Sequence, residues 1–236
     1  MENNSEVSQK GEERVPIDVK SLVEYNKSQY SHLLDEVMRV EKEAWPEEWQ
    51  ATRDKFESRL QVFPEGFFVA YKDGPMGGVS TSEVVNYDLE HLPQTWDEIT
   101  DNGLIKKTHS PSGDALYVVS VGVSKNFQGQ GIGKGLVEKQ KQLAQNLNLK
   151  YLFLGARMPE YQKHHRTHPE VSAEDYVKLE ESVGRKLDPE LRFYESCGLK
   201  AVEVIPNYGP DEESENYGVI MLWRNPDFSP SQEKSL

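Results

Sequence analysis

Residues 126–136 read NFQGQGIGKGL, with glycines at 129, 131, 133 and 135. The stretch follows ALYVVSVGV (115–123), an almost unbroken apolar run of the kind shown by a strand buried on both faces. It leads into Ile132, Leu136, Leu143 and Leu147 at helical spacing, with Val137 and Ala144 beside them. Next comes YLFLGA (151–156), a second buried strand, so the unit is a strand, helix, strand crossover. A glycine-rich turn between a buried strand and an amphipathic helix leaves backbone amides unobstructed at the positive end of a helix dipole. That is an anion site.

Three loop types compete for it. A Walker loop needs GxxxxGK followed by Ser or Thr, but its first glycine falls on Gln128, and Gly135 stands in place of the magnesium-binding hydroxyl. A dinucleotide fingerprint GxGxxG begun at Gly129 requires glycine at Lys134; begun at Gly131 it requires glycine at Leu136. The pattern QxxGxG is filled by Gln128, Gly131 and Gly133.

Working outward, Leu33, Val37, Val40 and Ala44 give one apolar helical face, and a second helix through Phe56, Leu60 and Phe63 follows the break at Pro46. FFVAY (67–71) and VSTSEVV (79–85) flank KDGPMGG and form an antiparallel hairpin. A polar stretch, 86–113, holds a short helix around Trp96. Residues 157–187 read as a polar insertion with a helix from Ser172, capped by the Ser172 and Asp175 pair. Asp188 and Pro189 start a short helix that Gly198 stops, and strands 199–205 and 217–223 follow, joined by an acidic turn, PNYGPDEESEN, expected to be exposed. Residues 1–14 and 229–236 are expected to be disordered tails around a single domain, 15–228.

Composition narrows the partners. Forty acidic against 27 basic residues leave a net charge of −13, which repels nucleic-acid phosphates and favours amine or cationic partners. No run approaches the ~18 apolar residues of a membrane span, and MENNSEVSQKGEER has no apolar leader core, so no membrane partner is expected. The single cysteine, Cys197, allows no internal disulfide, and the expected location is cytoplasmic. Cys197 reads as small-residue packing. The run KHHRTH (163–168) reads as a solvated loop and not a metal site, since His164 and His168 enclose no glutamate and Pro169 breaks a helix there. No metal is expected. GGVSTS lacks the second glycine of a nucleophile elbow.

With QxxGxG at 128–133 and a later block FYESCGL (193–199), an aromatic pair followed by a glycine at a helix-to-strand junction, the chain resembles the GNAT superfamily of N-acetyltransferases. FPEGFFVA, GDALYVVSVGV and GARMPEY look more particularly like the acetyltransferase-type domain fused to carbon–nitrogen hydrolases in other proteins. The resemblance implies an α/β (α+β) fold: a mixed, mostly antiparallel twisted sheet with splayed central strands and helices on both faces. It implies acetyl-CoA as cosubstrate and a primary amine of a small molecule or peptide as acceptor. Oligomeric state is left open, a homodimer being compatible. A non-catalytic acyl-CoA binding or sensing module is the alternative.

Carried over residue by residue, the resemblance puts the coenzyme pyrophosphate on the backbone of Gln128, Gly129, Gln130, Gly131, Ile132 and Gly133, with Lys134 near a phosphate. Val121 and Val123 would lend strand-edge hydrogen bonds to pantetheine, and their side chains read equally as core. Tyr194 matches the family's proton donor to the departing thiolate, a phenol of pKa about 10 being a suitable acid for that step. Asp114, His109 and Glu43 are conceivable general bases, and none is selected.

Overall fold

The computed structural model describes residues 16–88 and 95–230. In chain order the elements are β1 (Asp18–Ser21), α1 (Tyr30–Ala44), α2 (Arg53–Val62), β2 (Phe68–Tyr71), β3 (Met76–Val85), α3 (Trp96–Thr100) and β4 (Ala115–Val123). They continue with α4 (Ile132–Asn146), β5 (Tyr151–Ala156), α5 (Tyr161–Thr167), α6 (Ala173–Tyr176), β6 (Glu180–Ser182), β7 (Arg185–Lys186), α7 (Pro189–Ser196), β8 (Lys200–Ile205) and β9 (Gly218–Arg224).

The main sheet runs β1-β2-β3-β4-β5-β9-β8, and only the β4/β5 pairing is parallel. Strand alternation sends β2 to both faces. Val69 packs with Val37, Val40 and Phe56 of α1 and α2, while Phe68 and Ala70 pack with Ile132 and Leu136 of α4. Burying both faces explains the near-continuous apolar runs of β4 and β5. The fold is the mixed, mostly antiparallel sheet with helices on both faces that the resemblance implied.

Pairing between β4 and β5 stops early. It covers Ala115↔Tyr151, Leu116↔Leu152 and Tyr117↔Phe153, although β4 continues to Val123 and β5 to Ala156. Across the β3 ladder, Thr81 pairs with Ser120 and Ser82 with Val118, so Val119 is an extra residue in β4. Such a bulge bends its strand. Beyond Tyr117 the two central strands therefore part into a V.

Four local readings are corrected. A short edge strand, β1, precedes α1; its sequence DVKS is too short and polar to signal one. KHHRTH is not a loop: residues 161–167 are helical, the helix ending before Pro169 as a proline requires. The 157–187 segment also contains a small hairpin, β6 and β7. The acidic turn 206–217 is only partly exposed, because Tyr208, Asp211 and Ser214 are buried. The expected tail 1–14 and residues 231–236 lie outside the described residues.

β3 carries an unusual interior. Ser80, Thr81, Ser82 and Glu83 are all buried. Glu83 Oε2 accepts a hydrogen bond from Thr108 Oγ1 at 2.6 Å, and burial pushes its carboxyl up to about 8, against the pull of Thr108 and Arg59. A carboxyl that keeps its proton when folded and loses it when unfolded makes stability fall as pH rises between the two pKa values. Stability is therefore expected to fall between about pH 4.5 and pH 8. Chemical denaturation of Glu83→Gln across that window is expected to show a slope shallower by ~1.4 kcal/mol per pH unit, one proton's worth.

Candidate active site

The glycine loop forms as its sequence requires. Gly131 is the N-cap of α4 with φ +91°, a left-handed backbone that side chains disfavour. The first helical bond runs from the Gly135 N–H to the Gly131 carbonyl at 2.9 Å, so the amides of Ile132, Gly133 and Lys134 precede the ladder at the helix N-terminus. Gln128, Gly129, Gln130, Gly131 and Lys134 are exposed, and Gly133 is half-buried with a Cβ position only 3.1 Å from the Phe193 ring. Bare amides, a dipole end and no side chains in the way suit a pyrophosphate. The side chain of Gln128 also ties the loop to the end of β4, its Nε2 donating to the Val123 carbonyl at 3.2 Å.

Where β4 and β5 have parted lies a cavity of ~370 Å³. One wall is β4 with Val119 and Val121; the opposite wall is the end of β5, Gly155 to Arg157. Trp45 and Trp49 close it from the α1–α2 connection, and Trp96 of α3 from another side. The Trp96 indole donates to the Val119 carbonyl at 3.1 Å, which satisfies the bulged residue. The end of the chain supplies the rest. Tyr208 lies against Gly155 and Gly218, where a Cβ would collide with its ring, and its hydroxyl bonds that of Tyr117 at 2.7 Å.

Tyr194 lines the cavity from α7 and is 8% exposed. Burial raises its pKa well above the ordinary value, and the charges of Glu190 and Cys197 add to the effect. It is thus protonated across the neutral range. Glu190, one helical turn earlier, lines the same cavity. Its Oε1 accepts the Arg157 N–H at 3.0 Å. Arg157 in turn binds Asp211 through both Nε (2.9 Å) and Nη2 (3.0 Å), reaches Glu213 at 2.7 Å, and lies 3.8 Å over the Trp49 ring. Ser214 Oγ donates to Asp211 and accepts the Met158 N–H at 2.7 Å, which pins the 206–217 segment beneath β5.

The structure thus brings Val121 and Tyr194 to one cavity, whose lining includes neither Val123 nor the 128–134 loop; Val123 follows Val121 along β4, Gln128 bonds its carbonyl, and Gly133 lies against Val123 and Phe193. It leaves the three conceivable bases outside the lining. Asp114 accepts the Tyr87 N–H at 2.8 Å, His109 Nδ1 accepts the Val84 N–H at 3.1 Å, and Glu43 is held by Ser124 and Arg39. Cys197 is buried in the core, as expected of a packing residue. Of the KHHRTH histidines, His164 stacks on His168, its Nδ1 buried without a hydrogen-bond partner among the described residues, and His165 binds Glu215 at 3.0 Å. Sequence reading missed Glu190, Arg157 and the three tryptophans; the signal available for Glu190 was its place on the same helical face as Tyr194.

A glycine loop at a helix N-terminus, splayed central strands and a cavity with a buried phenol together make the architecture of an acyl-coenzyme A transferase. The profile of the acetyltransferase (GNAT) family matches residues 30–168, and the chain belongs to that family. It is 39% identical over 181 residues to the uncharacterized N-acetyltransferase YkwB of Bacillus subtilis, covering 77% of this chain and 78% of that protein. It is 35% identical over 206 residues to the probable hydrolase YhcX of Bacillus subtilis, covering 85% of this chain but only 38% of that protein, as a domain joined to a hydrolase elsewhere implies. Among solved structures, the loading GNATL domain of CurA from Lyngbya majuscula shares the fold, with TM-score 0.74 and 19% identity, covering 89% of this chain and 98% of that one.

Valine at Gly131 or Gly133 tests the loop. Strain at the positive φ of Gly131, and at Gly133 crowding of Phe193 by a side chain that also stands over the helix-start amides, are both expected to abolish the thermal stabilisation by acetyl-CoA, while melting without ligand drops by only a few degrees. Calorimetry with and without acetyl-CoA reads both effects.

Proposed function

We propose that this acyltransferase moves an acetyl group from acetyl-CoA to a primary amine of a small molecule or peptide, by direct attack of the amine within the cavity. The acetyltransferase unit is taken as residues 15–228, with 157–187 as an insertion between β5 and α7. Gln128 to Gly133 and Lys134 would hold the pyrophosphate, and the β4 edge at Val121 and Val123 the pantetheine arm. Acetyl-CoA supplies the activated thioester. The observation that carries the reading is that Val121 of β4 and Tyr194 of α7 line one cavity where β4 and β5 have parted, while Gly133 at the start of α4 lies against Phe193 and Val123, residues next to that lining.

Tyr194 is assigned the proton that the departing thiolate needs. Its raised pKa does not disqualify it, because the burial that disfavours phenolate disfavours an unprotonated thiolate beside it. The aromatic lining suits the apolar body of an amine. Carboxylates from three directions, Glu41, Asp97 and Glu190, favour its ammonium. A protein that only sensed acyl-CoA would have no need of a cavity so furnished beyond the thioester.

Acetyl-CoA at about 100-fold its dissociation constant is expected to add about 2.7 kcal/mol of stability. Thiol release from acetyl-CoA across a panel of tryptamine, spermidine and an alanine-initiated tripeptide then measures transfer. Tyr194→Phe is expected to slow release by ~10²-fold or more, within the ~10²–10⁴ range of a lost general acid, with the acetyl-CoA stabilisation intact. Equal rates in both proteins would remove Tyr194 from the mechanism.

A further inference from the structure

Resting on the transferase reading above, we infer that Glu190 is the general base: its carboxylate takes the proton from the acceptor amine and returns it, along one face of α7, to Tyr194. Both side chains line the cavity one helical turn apart. Oε1 of Glu190 is fixed by the Arg157 N–H, and among the described residues Oε2 takes no hydrogen bond. A base oriented through one oxygen and open through the other is what proton abstraction requires.

The other carboxylates of the cavity are engaged or displaced. Asp211 is occupied by Arg157 and Ser214. Glu41 gives Oε1 to the Ala51 N–H at 2.7 Å, and its Oε2 is sealed from solvent on the α1 side. Glu48 and Asp97 are exposed. Glu190 alone shares a helix face with the proton donor.

Its surroundings set its proton affinity. Burial pushes the carboxyl up to about 7, the Arg157 N–H and guanidinium pull it down, and Asp188 at the start of α7 and Asp211 push it further up. Tyr194 faces it along the helix, and Glu41 and Arg59 stand across the cavity. A base of pKa near 7 is half unprotonated at neutral pH and still able to take a proton.

The protons balance. An acceptor ammonium loses two on becoming an amide. Glu190 takes the first and passes it to solvent, freeing the nitrogen lone pair. It takes the second as the C–N bond forms and the C–S bond breaks. Tyr194 gives its own proton to the departing sulfur and recovers the one held on Glu190. One proton reaches solvent overall, as thioester plus ammonium going to amide plus thiol requires.

Glu190→Gln keeps an oxygen for the Arg157 N–H and removes the base. With the fastest amine of the panel, kcat is expected to fall ~10²-fold or more at pH 7 while the acceptor KM changes little. The acid limb of the pH profile near 7 should vanish and the acetyl-CoA thermal shift should stay. An acceptor-independent readout accompanies it: carboxyl-labelled glutamate NMR of the ligand-free protein, with Glu190→Gln for assignment, should show one carboxyl titrating near 7. If Glu190→Gln does not fold, Glu190→Asp serves instead, retaining the limb with reduced kcat. Unchanged kcat and limb in the Gln variant, or titration of Glu190 in the ordinary range near 4 to 5, would overturn the assignment. Loss of the acetyl-CoA shift in the wild-type protein would instead strike the coenzyme reading, leaving the titration to be judged separately.

Discussion

The parting of β4 from β5 after Tyr117 and Phe153 is the constraint on which the rest of the site depends. A sheet does not give up ladder hydrogen bonds in its centre without replacing them, because unpaired buried backbone groups are costly. Here side chains replace two of them. The Trp96 indole takes the Val119 carbonyl and the Gln128 amide takes the Val123 carbonyl, leaving Val121 between them with its backbone toward the gap. On the β5 side, the complete antiparallel pairing with β9 holds that strand straight while β4 bends away. The gap is therefore built by bonding on both sides and is no accident of loose packing.

Holding the V open also requires something behind it. Tyr208 fills that place because glycine stands at both Gly155 and Gly218, letting an aromatic ring lie flat on paired strands. The Trp96 N–H reaches the Tyr208 carbonyl at 2.8 Å, so α3 and the late 206–217 segment meet over the cavity. Arg157 completes the frame. Its guanidinium, clamped between Asp211, Glu213 and the face of Trp49, joins the end of β5, the late segment and the α1–α2 connection at a single residue.

How much of this was legible in the sequence follows from how local each signal was. The glycine loop was readable because the turn, the helix start and the preceding strand are contiguous, and the short helix that carries Tyr194 because it has its own cap, Asp188, and its own stop, Gly198. The two β4/β5 runs announced burial on both faces but not their separation, since a bulge at Val119 leaves no mark in a uniformly apolar string. In the sequence Glu190 is only an acid in the first turn of a helix, beside Pro189. What distinguishes it, the Arg157 N–H on one oxygen and the cavity on the other, is made by a partner 33 positions away. The acidic turn looks solvated by composition; the buried Asp211 and Ser214 in it owe their place to Arg157 and Met158.

The polar interior of β3 bears on the same geometry. Arg59 of α2 is 1% exposed, and burial lowers its pKa to about 10 although Glu41 and Glu83 are near. Its Nη1 donates to Thr81 Oγ1 at 3.2 Å and Ser120 Oγ at 3.4 Å, and those two hydroxyls bond each other at 3.0 Å. Thr81 and Ser120 are the last regular pair before the register shifts. A buried guanidinium is a costly way to gain stability, yet at this position it ties both strands to α2 at the point where β4 must bend. With Glu83 retaining its proton, the cluster holds one cation against fewer anions than a count of acids gives; the Thr81 and Ser120 hydroxyls take Nη1 of Arg59 and the Gly103 carbonyl takes Nε. The bulge is thus fixed by a residue that also lines the cavity, and the direction in which β4 departs is set by a helix that precedes it by more than fifty residues.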